Sequence, residues 1–233
     1  MKQLIAVVLI ISLCFAMLTG CDDEKEEVID DEAIREAVLS EFDKIAPIPR
    51  ESGHERAISG YLKAWAKENG FNAVRDSANN VIIEKAASAG YENAPVTILQ
   101  CNMDTAIAVS EETVFDPVSD PVQIVRTEDE LTAEGTSMGA DSGVGMATIL
   151  YVLKNAQNHG PVRAVFTADG ESGMRGAEKL NEKYLKGDYL INLSWNSDRT
   201  IGVGSGGTAS YKMVHDITWT PPQNEIPYLL SIN

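Results

Sequence analysis

Apolar and polar positions along this chain follow three rhythms, and each predicts a different kind of element. A continuous apolar run over residues 4–18 follows one basic residue, Lys2. That is the layout of a secretory signal, and it is short for a comfortable membrane span. Helical spacing comes next. Ile34, Val38, Phe42 and Ile45 predict a helix over 33–45, stopped by Pro47 and Pro49. Ser52 and Glu55 have the spacing of a capping box and predict a second helix from Ser52. Its apolar face is Ile58, Leu62 and Trp65, and Asn69-Gly70 ends it.

Short apolar runs bounded by turn residues then predict strands at 71–75 and 80–84. Beyond them, buried-looking strands at 96–100, 162–168 and 189–193 alternate with helical segments at 141–153 and 174–185. Such alternation predicts an α/β domain, a mostly parallel sheet flanked by helices on both faces. Residues 115–131, broken by Pro and Asp, predict a hairpin excursion. A glycine-rich stretch over 202–207 leads to a predicted strand at 209–215 and then to Pro221-Pro222.

Charge and cysteine usage narrow the setting. The 233 residues carry a net charge of −16, so phosphate backbones repel the chain and no nucleic-acid partner is expected. The apolar run closes on Leu18-Thr19-Gly20-Cys21, which looks like a bacterial lipobox with Cys21 as the lipidated residue. The acidic stretch after it cannot bury enough surface to fold and reads as a solvated tether. The expectation is an exported lipoprotein, on a periplasmic or cell-surface face, with the bilayer as a partner through Cys21. Cys101 would then be the one remaining thiol, which rules out an intramolecular disulfide and a cysteine-based zinc site.

Chemistry in a sheet of this kind gathers at the carboxyl ends of the strands. Three predicted strands end in polar clusters: Cys101-Asn102-Met103-Asp104, Asp169-Gly170-Glu171 and Ser194-Trp195-Asn196. A fourth cluster, Gly139-Ala140-Asp141-Ser142-Gly143, puts a carboxylate at a helix N-terminus. Carboxylates from separate strand ends meeting on one edge are what a two-metal hydrolase requires.

The chain resembles the aminoacyl-histidine dipeptidases of the zinc aminopeptidase/aminoacylase superfamily. The resemblance runs from Phe42 to about Tyr211. It includes Ile48-Pro49-Arg50-Glu51-Ser52-Gly53-His54-Glu55, Asn80-Val81-Ile82-Ile83, 136–145, His159-Gly160-Pro161 and Gly173-Met174. It implies zinc and peptide hydrolysis, with site residues carried over one at a time. Asp141 falls on the bridging carboxylate and Glu171 on a metal ligand, and Asp104 keeps the position that orients a metal histidine. The histidine itself has become Asn102, the general base has become Gly170, and a further ligand has become Ser194. The family's last ligand, a histidine, lies beyond Asn233.

An amide oxygen is a poor replacement for an imidazole nitrogen, and two carboxylates alone suit a weakly held Ca²⁺ or Mg²⁺ better than zinc. Loss of a positioned base typically lowers a rate by about 10²–10⁴. Asp169 is the nearest alternative base, although nothing in the sequence requires that role. His54, His159 and the isolated His215 read as structural, and Cys101 as an inert apolar residue. The expected organisation is a signal at 1–20, an acidic tether at 21–32, an incomplete dipeptidase-like domain at 33–220 and a tail at 221–233. The tail falls where the family's lid or dimerisation domain begins. The expected function is a lipid-anchored, inactive homologue or a truncated gene product. Two alternatives stay open, an active metal-dependent dipeptidase at the membrane and a non-catalytic module that binds small peptides or a partner. A separately encoded second half is one such partner.

Overall fold

The computed structural model describes residues 30–127, 130–194, 200–204 and 214. The signal at 1–20, Cys21, most of the tether, His215 and the tail lie outside the described residues, as does most of the strand predicted at 209–215. The chain forms two units, 1–201 and 202–233, and only 202–204 and 214 of the second are described.

Helix α1 spans Asp31–Ile45, two residues earlier than its periodicity predicts. The Asp30 carboxylate accepts the Ala33 N–H, which places the cap inside the acidic stretch assigned to the tether. Helix α2 spans Arg56–Glu68 and does not begin with the expected capping box. Glu55 turns its carboxylate to the Gly53 and Asp169 backbone N–H groups, while the Ser52 hydroxyl leaves for Asp104. Gly70, with φ +77°, ends this helix in the left-handed conformation that glycine adopts freely.

Among the described residues, five strands form the main sheet: β1 (Asn72–Arg75), β2 (Val81–Lys85), β3 (Thr97–Asn102), β6 (Val162–Thr167) and β7 (Tyr189–Asn192). Their order is β1-β2-β6-β3-β7. Strands β6, β3 and β7 pair in parallel, whereas β2 is antiparallel to both of its neighbours. The expected hairpin excursion is a separate two-stranded sheet, β4 (Ile124–Arg126) and β5 (Leu131–Ala133).

The two faces of the main sheet are covered unequally. Val81, Ile83, Leu99, Cys101, Ala164 and Phe166 pack under α1, α2 and helix α3 (Ala140–Asn155). Alternate residues Ile82, Ile98 and Val165 face the other way, onto Leu180 and Tyr184. That second layer departs from expectation. In place of one helix over 174–185 the chain makes a short helix α4 (Arg175–Lys179), an extended Leu180, and a 3₁₀ turn at Glu182–Leu185 capped by Asn181. Leu180, with ψ 131°, leaves the helix to bury its side chain, so tertiary packing overrides a helix-compatible pattern.

Candidate functional site

Because β3, β6 and β7 run in parallel, their carboxyl ends meet at one edge of the sheet. Asn102, Glu171 and Ser194 follow from those three ends, and Asp141-Ser142 from the start of α3. The α3 entry is irregular. Gly139 has φ +65°, Asp141 and Ser142 have non-helical dihedrals, and the peptide between them is cis.

Asn102 sits at the centre of this edge, 6% exposed. Its Nδ2 donates to Glu171 Oε1 at 3.0 Å and to Asp104 Oδ1 at 3.3 Å. Its Oδ1 accepts the Ser142 hydroxyl at 2.6 Å, and Ser142 Oγ also lies 2.8 Å from Asp141 Oδ1. Its backbone N–H donates to Ser194 Oγ at 3.1 Å. Carboxylates only accept hydrogen bonds, so Glu171 and Asp104 fix which way the amide points.

Asp104 is fully buried and collects partners from distant segments. The Gly170 and Glu171 backbone N–H groups reach its two oxygens at 2.8 and 2.9 Å, and Ser52 Oγ donates to it at 2.7 Å. Beneath it, Arg50 is 1% exposed and donates to the Gly139 carbonyl, while its Nε has no partner. Burial pulls the guanidinium down to about 10, with Asp104 and Cys101 acting against that shift. It remains a cation at neutral pH, held against the acidic edge.

Asp169 is not placed to serve as an alternative base. Arg175 Nε and NH2 bond its carboxylate at 2.5 and 2.9 Å, and the Ser172 hydroxyl adds a third contact. Arg175, supported by Ser172 and opposed by burial, holds this carboxyl down at about 2. So weak a base cannot take a proton efficiently near neutral pH. Cys101 is fully buried and its thiol is pushed up, first by burial and then by Asp141. It packs as an apolar residue. His159 is buried, with Nδ1 2.6 Å from the Gly160 carbonyl, and His54 is exposed just before α2. Neither joins the edge cluster.

No protein-family model matches the sequence. Over 167 residues the chain is 39% identical to the cytosol non-specific dipeptidase of Escherichia coli (strain K12), covering 71% of this chain and 34% of that protein. It is 38% identical to the crystal structure of aminoacylhistidine dipeptidase from Vibrio alginolyticus, with a TM-score of 0.64 over 74% of this chain and 35% of that one. The chain is homologous to these dipeptidases. A tripeptidase from Staphylococcus aureus, 24% identical, shares the fold with a TM-score of 0.59 over 70% of this chain and 44% of that one. The dipeptidase homologue spans about a third of the length of the two dipeptidases.

A zinc centre does not fit the donors that this homologue presents. Asn102 directs N–H hydrogens at Glu171 and Asp104, so positive charge already lies where a cation would need lone pairs. Among the described residues no group of three or more His, Cys, Asp or Glu side chains is placed to hold a metal ion. No described helix is long and apolar enough to cross a membrane.

Asn102, Asp104, Asp141, Gly170, Glu171 and Ser194, singled out from the sequence, lie together at this edge, while the residues that join them are not legible there. Ser52 and Glu55 read as a helix cap because their spacing allows it, and Ser142 passed as part of a glycine turn. Arg50 carried the one usable signal, an arginine set between a proline and an acidic residue within the stretch that resembles the dipeptidases.

Proposed function

We propose that this chain is an exported, lipid-anchored dipeptidase homologue that does not hydrolyse peptides. The observation that carries this reading is the Asn102 amide, which donates to Glu171 and Asp104 and accepts from Ser142, bridging the three side chains. Side chains that would have to face a metal and a water are spent on each other. Gly170 supplies no base, and Asp169 is neutralised by Arg175. Attachment to a bilayer through Cys21 rests on Leu18-Thr19-Gly20-Cys21 and on the acidic stretch that follows.

Both parts can be tested on the full chain. Purified in detergent and supplied with Zn²⁺, it is expected to retain less than one zinc per chain and to release no amino acid from an Xaa-His dipeptide. Chelator-sensitive turnover would establish instead an active metal-dependent dipeptidase at the membrane. Heat on titration with dipeptides, without turnover, would favour a peptide-binding module. For the anchor, mass spectrometry should find a diacylglyceryl group on Cys21, and Cys21→Ser should leave the membrane fraction. An unmodified cysteine would overturn that part.

A further inference from the structure

Gly170 owes its identity to more than a missing base. A Cβ built on it would lie 2.5 Å from Asn102 Cβ, 2.9 Å from Cγ and 3.1 Å from Nδ2. Real Cβ atoms do not approach other carbons so closely, and Asn102 Cβ is fixed to the β3 backbone instead of lying at the end of a flexible side chain, so a Cβ at 170 would have to displace its own segment. Gly170 is not among the residues with positive φ. The constraint on this position is therefore the space taken by Asn102 and not a left-handed backbone.

We infer that Asn102 and Gly170 form one interlocked unit, a latch that closes the 169–171 segment onto the end of β3. With no side chain at 170, the backbone settles against Asn102. That seating brings the residue 170 and 171 N–H groups within 2.8 and 2.9 Å of the Asp104 carboxylate. It also sets Glu171 Oε1 3.0 Å from the Asn102 amide. The amide thus ties together the ends of β3 and β6 and the start of α3, where carboxylates of like charge would otherwise push the segments apart. Restoring a side chain at 170 unseats the latch instead of supplying a base, because the Cβ it meets belongs to residue 102 whatever that side chain is, short of glycine. This deepens the proposed reading of a closed, non-hydrolysing cleft and rests on it for its functional consequence.

A double-mutant cycle on the full chain tests the latch without substrate or metal. Gly170→Ala should lower Tm by about 4–8 °C, the size of an overpacked contact in a domain this large. The same change should lower it as much in an Asn102→Ala background, which keeps the clashing Cβ. In an Asn102→Gly background the shift should fall below about 2 °C. Hydrogen exchange adds a local readout, since the amides of residues 170 and 171 should exchange at least about tenfold faster in Gly170→Ala than in the unmodified chain. If Gly170→Ala fails to fold and Asn102→Gly rescues it, the latch stands. Equal shifts in all three backgrounds, or no rescue, would overturn it. Dipeptide turnover by the unmodified chain would defeat the proposed function alone, because the latch is read from Tm and exchange.

Discussion

Asp104 and Asp169 lie at the same edge of the sheet, both buried, yet they are held in opposite ways. Asp104 gathers neutral donors from two distant segments, the hydroxyl of Ser52 and the backbone of Gly170 and Glu171, and from the neighbouring amide of Asn102. Asp169 is held by a cation from its own loop, Arg175, whose side chain is 64% exposed. A non-local cluster of neutral donors ties together parts of the fold that are far apart in the chain. A local ion pair with one solvated partner only shapes the loop that contains it. The two sites should therefore respond very differently to substitution.

Asp104→Ala should produce the largest effect. It strands two backbone N–H groups, and each buried unpaired donor costs about 1–3 kcal/mol, so urea unfolding should show a loss of at least about 2 kcal/mol. A loss below about 1 kcal/mol would show that the 169–171 segment readily finds other acceptors. Asp104→Asn should fall between, because one acceptor oxygen survives while the new NH₂ faces a donor.

Asp169→Asn should be milder and should depend on pH. The folded carboxyl is held at about 2 against an ordinary value of 3.8, so its contribution is complete above about 4. That contribution fades as pH falls through about 2. The difference in Tm between Asp169→Asn and the unmodified chain should accordingly be present at pH 7 and shrink between pH 4 and 2. A difference that held constant to pH 2 would mean that Arg175 does not control this carboxyl. Arg175→Met should show the smallest shift at pH 7. A change matching that of Asp104→Ala would erase the contrast between the two sites.

Much of the fold was legible because burial leaves a period in the sequence. The alternation of Val81, Ile82 and Ile83 with Ala164, Val165 and Phe166 between two cores follows from the pleat of a strand. Element ends were less legible. Ser52 and Glu55 satisfy a capping pattern, and only the folded chain reveals that Asp104 and Asp169 compete for them successfully. The segment at 174–185 fails similarly, since Leu180 is worth more in the second core than in a helix.

By itself, then, the sequence determined the α/β class, the convergence of residues 102, 141, 171 and 194 on one sheet edge, and the absence of a side chain at Gly170. These follow from local periodicity and from the rule that parallel strands present their carboxyl ends together. Tertiary structure alone decided how that edge is satisfied. Which donor reaches Asp104, why Asp169 is consumed by Arg175, and why Asn102 leaves no room for a Cβ at 170 all depend on distances of about 3 Å between residues up to 68 positions apart in the chain (Asn102 and Gly170). No pattern along a single segment encodes the contacts of Asp104 and Asn102, because they join segments that only the folded sheet brings side by side.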